Sequence, residues 1–394
     1  MILGAGIIGL GKDSFARPLF VKVNKEYLKL ISHDKISEFG GIRSIPVATE
    51  GKIDTSTLYY DEHKRQINGE RLKDYRYQEI VNSSIDFTTS SKALGIGLSV
   101  QKKFWETYNS SNKSKVIEQF KLLIGYHDYL EPLAKDCSFN AIKNEDAFTI
   151  FDVTCKSRYD YLIKSFIGIP KKEAKGVVLA IHGKNSGPDN IIGVSEHDYG
   201  KEFANSWLKK GFVVIAPWVN PSHGIDPRLA GLSAPGLDLS NLLDWVEFIK
   251  IKYPKEAKNM ITHGISYGSL LAEYVGIISA DISLVISSGG AARGSLLLRA
   301  KYGQTIKKPN DYYFNNALRY TLFEGDKIYN LIFPKKLIIS IGLRDHANET
   351  KFSIIQNAKS FYKKNGAQSN FRINLHDGAH ISDFEGVYNS FLTF

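Results

Sequence analysis

From residue 148 onward the apolar positions fall into two alternating rhythms. Short runs at 176–181 (GVVLAI), 212–216 (FVVIA), 282–287 and 337–341 (LIISI) have the length and β-branching of strands buried on both faces. Another strand begins at 260–262, and 371–375 reads as the last. Between them, apolar residues recur three and four apart. The pattern predicts helices over 202–210, closed by Gly211, over 237–253, from Leu270 onward, and over 352–364. In the second of these, Leu239, Leu242, Leu243, Val246, Phe248 and Ile249 share one face. Residues 148–154 and 159–167 read as an entering pair of strands. Such alternation predicts an α/β fold with a mostly parallel sheet flanked by helices.

Upstream, residues 20–147 lack that regularity and read as an additional α+β region. Residues 21–31 and 116–124 carry helical spacing, whereas 43–49 and 57–60 look extended, with a turn signal at Asn68-Gly69. No repeat and no catalytic constellation is found there. The first ten residues, MILGAGIIGL, are apolar, but no basic residue precedes them and they are too few to cross a bilayer. Residues 1–19 are therefore read as either a remnant of a signal or anchor or a buried strand. No other stretch approaches the length of a membrane span.

Composition places the 394-residue chain among ordinary globular proteins, with 43% hydrophobic and 23% charged residues. The formal charge of +10 would attract polyanions. The basic residues are scattered, without a run of five, and no nucleic-acid-binding signature accompanies them, so no nucleic-acid partner is expected. Two cysteines, Cys137 and Cys155, are too few for a structural zinc site of the usual kind. They would form one bridge in an exported protein or remain as two buried thiols. Sequons at Asn82, Asn109, Asn112 and Asn348 would matter only in a secreted eukaryotic protein. Gly4-Ala5-Gly6-Ile7-Ile8-Gly9 fits a dinucleotide fingerprint, but too little chain precedes it for a strand, and Lys12, Asp13 and Pro18 interrupt the helix that should follow. No nucleotide site is expected.

The chemistry concentrates later. Gly264-Ile265-Ser266-Tyr267-Gly268 lies between a strand-like and a helix-like run. A strand that turns abruptly into a helix needs small neighbours around a strained central residue, and the turn lifts a serine hydroxyl above the sheet. That hydroxyl becomes a nucleophile only when a base takes its proton. Asp345 follows the strand LIISI in Gly342-Leu343-Arg344-Asp345, and His380 follows the last strand in His376-Asp377-Gly378-Ala379-His380. Both thus fall at strand C-terminal ends, where open sheets place functional groups. Ser266 is expected as nucleophile, His380 as general base and Asp345 as its orienting acid. His376 and His346 compete for the base, and Asp377 and Asp326 are lesser candidates for the acid. For the oxyanion, the backbone N–H of Tyr267 is one expected donor. The second is expected from Lys184, in the loop His182-Gly183-Lys184-Asn185. His182 itself is expected to be a structural hydrogen-bonding residue.

Residues 148–394 resemble the dienelactone-hydrolase and acetyl-xylan-esterase branch of the α/β-hydrolases. The matching stretches are VVLAIHGKN, DLSNLLDWVEFI, GISYGSLLAEYVG, the strand ending in GLRD, and HDGAH. The resemblance implies carboxylic-ester hydrolysis through an acyl-enzyme, with no metal or organic cofactor. The chain departs from the pattern in lacking a Gly-Gly pair after His182. Prolyl-oligopeptidase-type peptidases share the arrangement, so a serine peptidase is the alternative, and a non-catalytic protein retaining the fold is a third.

The connection between the strands at 282–287 and 337–341 exceeds an ordinary crossover. This insert, about 289–335, holds Arg293, Tyr302, Tyr312 and Tyr313, read as substrate-binding residues of a partial lid suited to an acylated or acidic carbohydrate. A solvated, tyrosine-rich insert is the plainer reading. The expected partner is a small-molecule or glycan ester, with membrane association through the N-terminus only. The apolar start and the basic, Tyr/Asn/Ser-rich composition lean toward an exported or envelope-attached bacterial protein.

Overall fold

The computed structural model describes residues 103–106, 112–126, 135–184, 186–196, 198–219, 233–290, 323, 326–345 and 348–394. It also describes four two-residue strands, β1 (Ala48–Thr49), β2 (Lys52–Ile53), β3 (Tyr59–Tyr60) and β4 (Gln66–Ile67), paired as two small antiparallel units. These strands include the ends of both segments read as extended. The helix expected at 21–31 and the apolar N-terminal residues lie outside the described residues.

A nine-stranded sheet organises the rest, in the order β13-β12-β11-β10-β8-β9-β7-β6-β5. Its strands are β5 (Lys135–Asn144), β6 (Phe148–Lys156), β7 (Leu162–Pro170), β8 (Val177–Ile181), β9 (Val213–Pro217), β10 (Met260–Ile265), β11 (Ile282–Ser288), β12 (Lys336–Gly342) and β13 (Phe371–His376). Strands β8 to β13 pair parallel, while β5, β6 and β7 form an antiparallel margin joined to β9. The fold is α/β, with a mixed, mostly parallel sheet.

Side-chain alternation along each strand builds two cores. On β8, Val177, Leu179 and Ile181 enter one, while Val178 and Ala180 enter the other. Helices α1 (Lys113–Leu123), α4 (Ala234–Lys252), α5 (Tyr267–Ile278), α6 (Asp326–Ile332) and α7 (Asn348–Lys364) cover the first face. Helices α2 (Pro188–Ile192), α3 (Phe203–Lys209) and α8 (Phe384–Phe391) cover the second. There Trp207 packs edge-on against Phe212, Phe384 and Phe391, at ring separations of 4.9, 5.3 and 5.4 Å. Each such buried side chain contributes about 1.5–3 kcal/mol of transfer free energy.

The rhythm change at residue 148 marks the second strand of this sheet, because β5 precedes it. Helix α1 also belongs to the same unit: Phe120 is fully buried against Tyr274 and Phe323, at 5.0 and 5.3 Å. Its pattern was legible as a helix, but its partners are supplied by residues far along the chain. Cys137 and Cys155 are joined by a disulfide across β5 and β6. The turn after β6 is held by Arg158, whose backbone N–H and Nε donate to the two oxygens of Asp244 at 3.0 and 2.9 Å. A third bond, from Nη2 to the Ser240 carbonyl at 3.1 Å, completes this buried anchor on α4. Among the described residues, no helix is long and apolar enough to cross a membrane.

Topology places the site. The chain leaves β8 for β9 on one side and later returns to β10 on the other. Beyond the C-terminal end of β8 a crevice therefore opens between diverging connections. Register keeps the neighbouring strand ends level: Gly264 faces Ile181, Ile265 faces Ser288, and Gly342 faces His376.

Candidate active site

Ser266 stands between β10 and α5 with φ +62° and ψ −115°, a conformation that L-residues rarely adopt. Its neighbours explain the two glycines. A Cβ on Gly264 would lie 2.0 Å from the Gly268 carbonyl oxygen, and one on Gly268 would lie 2.1 Å from that of Ile181. The backbone N–H of Ser266 donates to the Ser288 carbonyl at 2.9 Å, tying the turn to the end of β11. Tyr267 opens α5, and its buried hydroxyl donates to Asp238 Oδ2 at 2.7 Å.

The loop after β8 packs directly on the serine: a Cβ on Gly183 would come within 2.9 Å of Ser266 Cβ. Lys184 follows with an exposed side chain, and its carbonyl accepts from the Tyr199 hydroxyl at 2.7 Å. Beneath this loop His182 is buried. The Val219 N–H donates to its Nε2 at 3.1 Å, so its Nδ1–H donates to the Gly183 carbonyl at 2.8 Å. Both nitrogens are occupied, and burial lowers its pKa below 6.5, so it remains a neutral support.

On the opposite side, Nδ1 of His380 lies 3.0 and 3.1 Å from the two oxygens of Asp345. The Asp345 side chain is wholly buried and the imidazole 17% exposed. Gly289, at φ +64°, passes close beneath: a Cβ there would lie 2.9 Å from His380 Cε1. Tyr199 spans the two halves. Its ring stacks on the imidazole at 5.7 Å and its carbonyl accepts the Ser382 N–H, while its hydroxyl holds Lys184.

The structure thus pairs Asp345 with His380 directly, and Tyr199 links that imidazole to the Lys184 carbonyl, while Ser266 packs on Gly183 and bonds Ser288, next to Gly289 beside His380. The competitors stand differently. His376 is buried at the end of β13 with its pKa lowered by burial, and the imidazole on Asp345 is that of His380. Asp377 pairs with Arg344 at 3.4 Å, and Asp326 with Lys327 at 3.2 Å. His346, Arg293, Tyr302, Tyr312 and Tyr313 lie outside the described residues. No group of metal-ligating side chains occurs among the described residues.

Three neighbours of the site carry no sequence motif: Tyr199, Trp218 and Lys351. Trp218 presents a 37% exposed indole, edge-on to His182 at 6.2 Å. Lys351 donates to Asp345 Oδ2 at 2.6 Å. Only Lys351 left a trace in the pattern. It lines up with Ile354, Ile355, Ala358 and Tyr362 on the apolar face of α7, where a lysine is out of place.

Solved structures share this architecture. A protein from Bacteroides fragilis assigned as an acetyl xylan esterase superposes with a TM-score of 0.53 at 12% identity, over 67% of this chain and 74% of its own. The glucuronoyl esterase from Solibacter usitatus gives 0.53 at 13%, over 74% and 92%. A promiscuous CE15 esterase from a marine bacterial metagenome gives 0.50 at 14%, over 74% and 91%. Neither a protein-family model nor a curated protein sequence matches the chain. At such identities the likeness is one of fold, and that fold is the α/β-hydrolase fold.

Proposed function

We propose that this chain is a serine hydrolase that cleaves carboxylic esters, with a glycan ester as its substrate. The observation that carries the reading is a strained serine at a strand–helix turn, tied through its N–H to Ser288, whose neighbour Gly289 lies against the imidazole held by the buried Asp345 carboxylate. In this mechanism the Ser266 hydroxyl attacks the ester carbonyl while Nε2 of His380 takes its proton. Asp345 holds the Nδ1–H tautomer and stabilises the imidazolium that forms. The negative charge developing on the carbonyl oxygen is met by the backbone N–H groups of Tyr267 and Lys184. The imidazolium then protonates the departing alcohol. Water, deprotonated by the same imidazole, releases the acid from the acyl-serine. The sequence of steps calls on no metal or organic cofactor.

Support for a sugar ester comes from the exposed Trp218 indole beside the oxyanion loop, since an indole face packs on a sugar ring. The fold neighbours named above act on, or are assigned to, carbohydrate esters. Arg293, Tyr302, Tyr312 and Tyr313 of the 289–335 insert are proposed to complete that surface. The Cys137–Cys155 bridge supports an oxidising compartment, and hence export. Thiol-blocking before lysis should recover the chain bridged, and free thiols in such material would remove this support.

The test is labelling by a fluorophosphonate probe, followed by an ester panel. The wild type should label, and Ser266→Ala should not. Hydrolysis of p-nitrophenyl acetate and acetylated xylo-oligosaccharides should fall about a million-fold in kcat with that substitution. A wild type inert to the probe would leave a non-catalytic protein with this fold. Preference for p-nitroanilides over matched esters would make it a peptidase.

A further inference from the structure

Lys351 is buried almost completely. Its side chain is 1% exposed, and its ammonium lies 2.6 Å from Oδ2 of Asp345, itself 0% exposed. The other flank of that carboxylate is occupied by His380, whose Nδ1 lies 3.0 Å from Oδ1. One carboxylate therefore serves an ammonium and an imidazole at once. Its loop is fixed independently, because the Asp345 N–H donates to the Gly342 carbonyl and the Arg344 N–H to that of Gly378. Removing an ammonium from water costs several kcal/mol, and a buried ion pair seldom stabilises a fold more than apolar side chains of similar volume would. Lys351 shares the packing face of α7 with Ile354, Ile355, Ala358 and Tyr362, where an apolar side chain would be usual. A charge kept at this position points to the chemistry of the site.

We infer that Lys351 is a positioning residue for the Asp345–His380 pair, one that sets the pH range in which His380 works as a base. The inference rests on the ester-hydrolase reading above. A lone carboxylate beside an imidazole favours the protonated ring. An ammonium on the same carboxylate cancels part of that field, keeps the aspartate ionised and pins one of its oxygens. Removing that ammonium would leave the carboxylate's full field on the ring. Other charged and titratable groups also stand near the pair. Tyr199 stacks on the ring, and buried His376 feels Asp345, Asp377, Asp383 and Arg344. Asp377 is paired with Arg344, and Asp383 accepts from Asn374 Nδ2 at 3.0 Å and caps α8.

The experiment is the rate of fluorophosphonate labelling of the full chain, from about pH 5 to about pH 9, across the range of histidine titration. It compares the wild type with Lys351→Met, Lys351→Gln and Lys351→Arg, each checked for cooperative thermal unfolding. Both neutral variants should move the acid limb to higher pH by about one unit. Lys351→Arg should keep the wild-type limb. Neutral variants slowed by the same factor at every pH would overturn the inference and leave Lys351 a packing residue. An arginine variant displaced as far as the methionine one would also overturn it. Should neither neutral variant fold, the arginine limb decides: unchanged supports the role, and raised by about a unit refutes it. A wild type that labels at no pH defeats the hydrolase reading itself, whereas labelled variants with unmoved limbs defeat only the role of Lys351.

Discussion

Tyr199 shows how one side chain can tie together two separate parts of a site. Its hydroxyl donates to the Lys184 carbonyl and its ring stacks on the His380 imidazole, so the loop after β8 and the proposed base share one support. Tyr199→Phe keeps the ring and removes the hydroxyl. A hydrogen bond of this kind contributes about 1 to 1.5 kcal/mol, so kcat/KM for p-nitrophenyl acetate should fall about tenfold with little change in KM. Kinetics equal to wild type would mean that the loop is held without this bond. His182 occupies the complementary position below the loop, with both ring nitrogens committed. Its motif position was readable, but its tautomer depends on the Val219 N–H, which arrives on a different strand.

Among the elements, α1 and β5 carry the main departure from the sequence-based division at residue 148. Both lie upstream of it, yet β5 pairs along β6 and α1 delivers Phe120 into the principal core. The reason is physical. An edge strand exposes one face and mixes polar residues into its pattern, so KDCSFNAIKN lacks the apolar run that marks a central strand. Phe120→Ala should cost about 3–5 kcal/mol, read as a lower urea midpoint with an unchanged slope. A loss under about 1 kcal/mol would mean that α1 is merely appended to the surface. The opposite case is the turn between β10 and α5. Its function is local, so Gly264 and Gly268 could be read directly from their spacing around Ser266.

For the whole molecule, the buried histidines couple stability to pH. His263 is fully buried: Trp207 Nε1 donates to its Nδ1 at 2.9 Å, and its Nε2–H donates to Ser288 Oγ at 3.0 Å. Burial pushes its pKa from 6.5 down to about 3. Below 6.5 the unfolded chain binds a proton that the folded chain refuses, so folding stability falls with acidification by about 1.4 kcal/mol per pH unit until the folded pKa is reached. His182 and His376, with pKa values also lowered by burial, act in the same direction. His263→Gln should be less stable than wild type at neutral pH, with a gap that narrows steadily as pH falls toward about 5, followed by thermal unfolding. A gap independent of pH would show that this ring adds nothing to the acid sensitivity.

The strands from β6 to β13 and helices α3, α4, α5 and α7 were readable because periodicity of two or 3.6 is a property of neighbouring residues, whereas the short helices α2 and α6 were not. Ser266, Asp345 and His380 could be named for the same reason, each standing at a recognisable strand end. What holds the loop after β8, and which group a buried lysine would meet, were not readable. Those contacts depend on how crossover connections bring distant strand ends to one rim, with β8 placed between β9 and β10. Tyr199 and Lys351 lie on separate connections, so their convergence on His380 and Asp345 exists only once the sheet has formed.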